Sequence, residues 1–164
     1  MPQKRATLHM LCGKIAAGKS TLAAELAKRH RALLVSEDFW TFRLFGPEMH
    51  EVADYVRFSR RLREAMGPHL TELLAAGLSI VLDFPANTRA TRGWMKGIYE
   101  AAGADHQLHL LDLPDEVCRD RLRERNANGS HDFSASEEQF DLITSYFEAP
   151  GEDEGFAIIT HRGT

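Results

Sequence analysis

Between an apolar run, Ala6 to Leu11, and an amphipathic run, Ser20 to His30, stands Gly13-Lys14-Ile15-Ala16-Ala17-Gly18-Lys19-Ser20-Thr21. This stretch satisfies G-x-x-x-x-G-K-[ST] at every fixed position. A glycine-rich turn from a strand into a helix aims backbone N–H groups and the positive end of the helix at one point, which makes a cradle for phosphate. Glycine at positions 13 and 18 permits positive φ and close approach of backbone to ligand. The expected nucleotide contacts are Gly13, Ala16, Ala17, Gly18, Lys19, Ser20 and Thr21. Lys19 would reach the β- and γ-phosphates, and Ser20 would offer its hydroxyl to Mg²⁺.

The rest of the chain alternates short apolar runs with helical patterns. Arg31 to Ser36 reads as a second strand, ending in the carboxylates and aromatics of Glu37-Asp38-Phe39-Trp40. Thr41 to Pro47 reads as a loop, with Gly46-Pro47 as its breaker. Glu48 to Ala76 reads as a helix interrupted near Gly67-Pro68. Leu78 to Leu82 is the most strand-like run, followed at once by Asp83. A helix over Thr88 to Ala102 stops at Gly103, a strand covers His106 to Asp112, and a helix runs from Asp115 to about Asn126 behind Pro114. A polar link, Asn126 to Asp132, precedes Ser134-x-x-Glu137, which has the form of a capping box for a helix through Phe147. Phe156 to Thr160 is the last strand. Such alternation predicts an α/β three-layer domain with five parallel strands and helices on both faces, spanning residues 1–164, with a small lid over about 119–136.

Composition narrows the function. At 164 residues the chain is long enough for one buried core. A net charge of −4 argues against a polynucleotide partner, which needs a basic face. Cys12 and Cys118 lack C-x-x-C spacing and form no disulfide framework. No apolar run approaches the ~20 residues of a membrane span, and the run after the N-terminus is too short for a signal peptide, so a cytoplasmic protein is expected. Nothing in the pattern fixes an oligomeric state.

A phosphate loop is shared by kinases, switch GTPases and motor ATPases. A base-reading N-K-x-D is absent here, and Leu82-Asp83 is followed by Phe84 rather than by a second acid. A small phosphotransferase fits better. In such enzymes the protein positions groups and neutralises charge while one carboxylate takes the acceptor's proton. In open α/β sheets ligands bind at the carboxyl ends of the strands, which puts Glu37, Asp38 and Asp83 in reach. On an extended segment only one of Glu37 and Asp38 would face the cradle, and Asp38 is the expected base. Asp83 would hold Mg²⁺ or orient the acceptor, with Asn87 and Arg92 as further acceptor contacts. Arg57, Arg60, Arg61 and Arg63 read as a solvated helix face. Arg121 and Arg125 share one helical face, and Arg119 and Arg123 another. The first pair is expected to close over the phosphoryl group. Trp40 and Trp94 read as core or pocket wall. His106, His109 and His131 have no carboxylate or cysteine partners at metal-ligand spacing, so Mg²⁺ bound with nucleotide is the one metal expected.

With these residues in place, the chain resembles the P-loop kinase-like "AAA family" ATPases of the zeta-toxin, polynucleotide-kinase and chloramphenicol-phosphotransferase type. Ser36-Glu37-Asp38-Phe39-Trp40 looks like that family's strand-two aspartate followed by an aromatic. Asp83 with Asn87 and Arg92 resembles the Asp, Asn and Arg run of polynucleotide kinases, and Arg121 to Asn126 looks like the entry to the lid. The chain departs where polynucleotide kinases carry an arginine beyond the lid's Arg-Asn, since Ala127-Asn128-Gly129-Ser130-His131 stands there. The resemblance implies ATP as donor and a hydroxyl group as acceptor. The expected function is transfer of the γ-phosphoryl of Mg-ATP to a small-molecule acceptor. Two alternatives stay open: a nucleoside or nucleotide kinase with Phe39, Trp40 or Phe84 stacking on a base, and a low-turnover ATP-binding module acting through a partner.

Overall fold

The computed structural model describes residues 4–129 and 135–162. Its centre is β1 (Thr7–Gly13), flanked by β3 (Ile80–Pro85) on one side and β4 (Asp105–Leu111) on the other. β2 (Leu33–Ser36) lies outside β3 and β5 (Ile158–His161) outside β4, giving the order β2-β3-β1-β4-β5 with every pairing parallel. The chain leaves β1 towards one edge and later returns to its other side. The strand order therefore reverses at β1, and a crevice opens at its carboxyl end.

Helices cover both faces because alternate residues of the strands are apolar on both. Leu8, Met10, Ile80, Leu82 and Leu108 pack against Leu62, Leu70 and Met95 of α3 (Val52–Ala75) and α4 (Arg89–Ala102). Leu11, Val81 and Leu111 face the opposite way. They meet Leu26 of α1 (Lys19–His30), Leu122 of α5 (Asp115–Asn128) and Phe140 of α6 (Glu137–Ser145). This is the three-layer α/β P-loop fold with five parallel strands and helices on both faces. No helix of the described residues is long and apolar enough to cross a membrane.

Two local expectations need correction. The stretch 41–47 is not a loop: α2 (Glu37–Phe45) starts directly from β2, capped by the Ser36 hydroxyl, which accepts from Phe39 N at 3.3 Å. α3 runs unbroken through Pro68. The carbonyl that Pro68 leaves without a donor belongs to Glu64, on the solvent side, where water can serve it. The last helix is capped by Ser136 and Gln139, which exchange bonds of 3.1 and 2.9 Å. The box expected from Ser134 lies outside the described residues.

Candidate active site

The phosphate loop is shaped by two residues with left-handed backbone, Ala16 at φ 62° and Gly18 at φ 100°. The first is a strained conformation for a residue with a Cβ, and the Ala17 N to Lys14 O bond of 3.0 Å ties the turn that imposes it. Gly13 is needed for a different reason than expected. Its φ is not positive, but a Cβ there would lie 3.1 Å from Leu111 Cβ on β4. The Lys19 ammonium donates to the carbonyls of Gly13 and Lys14 at 2.5 and 2.9 Å, and loss of water pulls its pKa down. Asn87, just past β3, braces the loop from the side. Its Oδ1 accepts from Gly13 N at 2.9 Å and its Nδ2 donates to Gly13 O at 2.8 Å. An amide side chain thus pairs with backbone just past the last β1–β3 pair, Leu11 and Pro85, and Asn87 supports the cradle while its surface still lines the cavity.

Carboxylates gather at the same sheet edge. Ser20 Oγ donates to Asp83 Oδ2 at 2.9 Å. β2–β3 pairing puts Ser36 opposite Asp83, so the start of α2 lies beside it. Because Glu37 and Asp38 begin a helix instead of extending β2, they do not point to opposite sides, and both line the cavity. Tyr55 of α3 joins them, its hydroxyl 2.6 Å from Glu37 Oε1 and 3.2 Å from Asp38 Oδ1. Glu37 is 1% exposed, and its other oxygen accepts from Arg63 Nε at 3.0 Å. Burial raises its pKa against the pull of Arg63 and the Tyr55 hydrogen bond. Arg63 Nη1 also donates to Thr91 Oγ1 at 3.0 Å.

Arg63 therefore departs from the solvated role expected of it, while Arg57, Arg60 and Arg61 are exposed. The sequence carried a usable signal for this. Tyr55, Ser59 and Arg63 recur every four residues beside the apolar stripe of Phe58, Leu62 and Met66, which puts polar groups on the inward flank of α3. Arg92 departs in the other direction and makes no wall of the cavity. It is fully buried, its Nε and Nη2 donating to Glu154 at 2.9 and 3.1 Å and its Nη1 to the carbonyls of Ala86 and Glu148 at 2.9 and 2.7 Å. It is a clamp behind Asn87, not an acceptor contact. Its hydrogen bonds pull the Glu154 pKa down.

Of the lid arginines, Arg121 and Arg125 line the cavity. Arg121 Nη1 donates to Ala17 O at 3.3 Å. Arg125 Nε is enclosed without a hydrogen-bond acceptor among the described residues, and burial lowers its pKa against the attraction of Asp38. Arg119 turns outward to Asp141 and Arg123 to Glu137. Residues 130–134 of the expected lid, His131 included, lie outside the described residues.

The cavity has a volume of about 500 Å³, in the range of sites that hold a small ligand. Apart from the groups above and the hydroxyls of Thr21 and Thr88, its walls are largely apolar: Val52, Val56, Pro85, Ile143, Tyr146 and Phe147. The aromatics considered for base stacking stand elsewhere. Phe84 is fully buried in the core, and Phe39 and Trp40 face solvent, 49% and 42% exposed. Trp94 packs on Phe84 at a ring distance of 5.7 Å.

The AAA domain family matches residues 8–150, from the first strand through the loop after α6. The chain belongs to that family. Solved structures share its fold. A kinase candidate from Chloroflexus aurantiacus J-10-fl superposes with a TM-score of 0.77 at 20% identity, over 98% of this chain and 86% of that one. The APS kinase CysC of Mycobacterium tuberculosis, solved with AMPPNP and APS, gives a TM-score of 0.64 at 18% identity over 98% and 91%. A gluconokinase from Sinorhizobium meliloti 1021 gives 0.62 at 15% identity over 100% and 86%. Identities this low establish the shared fold. No curated protein matches the chain.

Proposed function

We propose that this AAA domain transfers the γ-phosphoryl group of ATP to a hydroxyl of a small-molecule acceptor, in the manner of the zeta-toxin and chloramphenicol-phosphotransferase type it resembles. The observation that carries this reading is convergence. A phosphate cradle, two carboxylates at neighbouring strand ends and two lid arginines surround one cavity.

In this reading the loop's N–H groups and Lys19 hold the β- and γ-phosphates, and Arg121 and Arg125 meet the charge on the transferring group. The enclosed Nε of Arg125 is a donor that a phosphate oxygen would satisfy. Asp38 accepts the proton of the acceptor hydroxyl as that oxygen bonds to the γ-phosphorus. The bond from the γ-phosphorus to the bridging oxygen breaks, and ADP leaves with the electron pair. Ser20 and Asp83 offer a hydroxyl and a carboxylate oxygen at one point, a donor set suited to a hard cation. Mg²⁺ held there would neutralise phosphate charge. Tyr55 and Arg63 position the Glu37–Asp38 pair.

ATP turnover in the presence of Mg²⁺, measured against nucleosides, sugars, aminoglycosides, chloramphenicol and short oligonucleotides, tests the proposal. One acceptor should raise turnover, and Lys19→Ala and Asp38→Asn should each abolish that rise. Slow hydrolysis indifferent to every acceptor and to Asp38 would favour the ATP-binding module instead. Transfer that persists in Asp38→Asn with nucleotide still bound would remove Asp38 as base.

A further inference from the structure

The apolar part of the cavity wall comes from two helices. Val52 and Val56 belong to α3, and Ile143 and Tyr146 to α6 and its C-terminal cap. These helices pack on opposite faces of the sheet, with Leu62 of α3 in one core and Phe140 of α6 in the other. Apolar side chains therefore reach the cavity from both layers. Val56 and Tyr146 are 51% and 63% exposed. Exposed apolar residues are ordinary where they are scattered, but these converge on one cavity, which also holds the proposed base.

Contacts on both helices tie this wall to the end of the cavity where the acceptor is proposed to bind. Val52 and Val56 stand one turn apart on α3, with Tyr55 on the same face. The Tyr55 hydroxyl lies 2.6 Å from Glu37 Oε1 and 3.2 Å from Asp38 Oδ1, so the valines flank the proposed base. The segment that follows Tyr146 is fixed just past β3, where Glu148 N donates to Asn87 O at 2.8 Å. The side chains of Val52, Val56 and Ile143 carry no hydrogen-bonding group. A sugar or polyol seated against them would give up water from hydroxyls that they cannot bond. A hydrocarbon or ring face would instead remove apolar area from water on both sides, and the flat face of Tyr146 suits a ring.

We infer that the acceptor is an alcohol with an apolar, ring-bearing body, lodged between α3 and α6 while its hydroxyl points to Asp38. The inference rests on the phosphotransfer reading and deepens it by naming the substrate class. Val56 and Tyr146 are then specificity residues: they favour an apolar body over a polyol, and neither belongs to the phosphate cradle.

The deciding experiment measures binding, so it does not depend on turnover. Phenethyl alcohol and glycerol are each titrated into the full chain saturated with Mg-AMPPNP, so that the phosphate loop is filled, and affinities are read by ligand-observed NMR. Phenethyl alcohol should bind wild type at least about tenfold more tightly than glycerol. Tyr146→Ala and Val56→Ser, both at exposed positions, should each weaken phenethyl alcohol by about three- to tenfold and leave the affinity for AMPPNP as it is. If one variant does not fold, the other, on a different helix, carries the same expectation. Undetectable binding of phenethyl alcohol, equal affinities for the two alcohols, or affinity unchanged in both variants would overturn the inference. A loss confined to AMPPNP would overturn it too, by giving the apolar wall to the base of the donor. In a parallel transfer assay, phosphorylation confined to sugars and polyols would overturn the inference, and a preference for ring-bearing alcohols would support it. Absence of transfer to any compound would count against the phosphotransfer reading alone, and the titration would still decide this one.

Discussion

Ser20 and Asp83, 63 positions apart in sequence, meet through a 2.9 Å hydrogen bond in which the serine hydroxyl donates to Oδ2. The first opens α1 and the second stands on β3, so the contact joins the phosphate loop to the neighbouring strand. If Asp83 holds the cation of the reaction, Asp83→Asn keeps the shape and removes a charge. Turnover should fall on the order of a hundredfold, the equivalent of a few kcal/mol of transition-state stabilisation, and the Mg²⁺ concentration for half-maximal rate should rise. A Mg²⁺ titration of both proteins reads this. An unchanged Mg²⁺ requirement would limit Asp83 to shaping the loop.

Neighbouring turns of α5 should behave differently. Arg121 and Arg125 face the cavity, whereas Arg119 and Arg123 pair with Asp141 and Glu137 on the surface. Replacing either inward arginine by alanine should lower the maximal rate by about ten- to a hundredfold. The two outward ones should stay within about 1 kcal/mol of wild type in stability, as exposed pairs do, with activity unaffected. Steady-state rates for the four single variants make the comparison internal to one helix.

Arg92 is a structural cation. It is completely buried and bound to Glu154 and to carbonyls of two segments. Arg92→Met removes the cation that pairs Glu154, which keeps only Gly151 N on Oε2, along with the donor to those carbonyls, and should cost about 3–5 kcal/mol. Arg92→Lys should rescue little, because one ammonium cannot reach both the carboxylate and the carbonyls. Urea midpoints of the three proteins decide the matter.

Acid should destabilise the fold through the sheet's histidines. His9 Nδ1 lies 3.3 Å from His109 Nε2, whose ring continues to His161 Nε2 at 3.1 Å. Burial first, and the neighbouring imidazoles second, push His9 and His109 each down to about 4 from 6.5. The unfolded chain therefore binds protons first. The histidines' contribution is full above pH 6.5, falls as pH drops from there to about 4, and levels off below, where their rings are protonated in both states. One such group is worth on the order of 3 kcal/mol. Denaturation between pH 7 and 4 should show this slope, and His109→Gln should flatten it. A slope unchanged by that substitution would place the acid sensitivity elsewhere.

Much of this was legible before any coordinates, for physical reasons that differ by element. The phosphate loop declares itself because its backbone geometry restricts which residues can stand there. The strands declare themselves because a sheet covered on both faces needs continuous apolar runs, as in Leu78 to Leu82. α2 was hidden because Phe39 to Phe45 mixes aromatics with a threonine and ends at Gly46-Pro47, all of which suggest a loop. The available cue was Ser36 as a cap with two acids in the first turn behind it. Periodicity marks Arg63 as facing inward, beside Tyr55 and Ser59, but the burial of Arg92 was beyond it. Both sit on amphipathic helices, and what separates them is a partner far along the chain, Glu37 for one and Glu154 for the other.

Gly13 O receives two donors, Lys19 Nζ and Asn87 Nδ2. When the lysine swings away to a phosphate, the amide remains, and the carbonyl is never orphaned. Lys14 O, the other acceptor of Lys19, likewise keeps Ala17 N, so ligand entry exchanges two contacts of one side chain and leaves neither carbonyl bare. With both carbonyls still paired, the strand end that carries the loop is expected to keep its geometry when phosphate binds, so that adaptation to the acceptor would fall to the helices on the far side of the cavity.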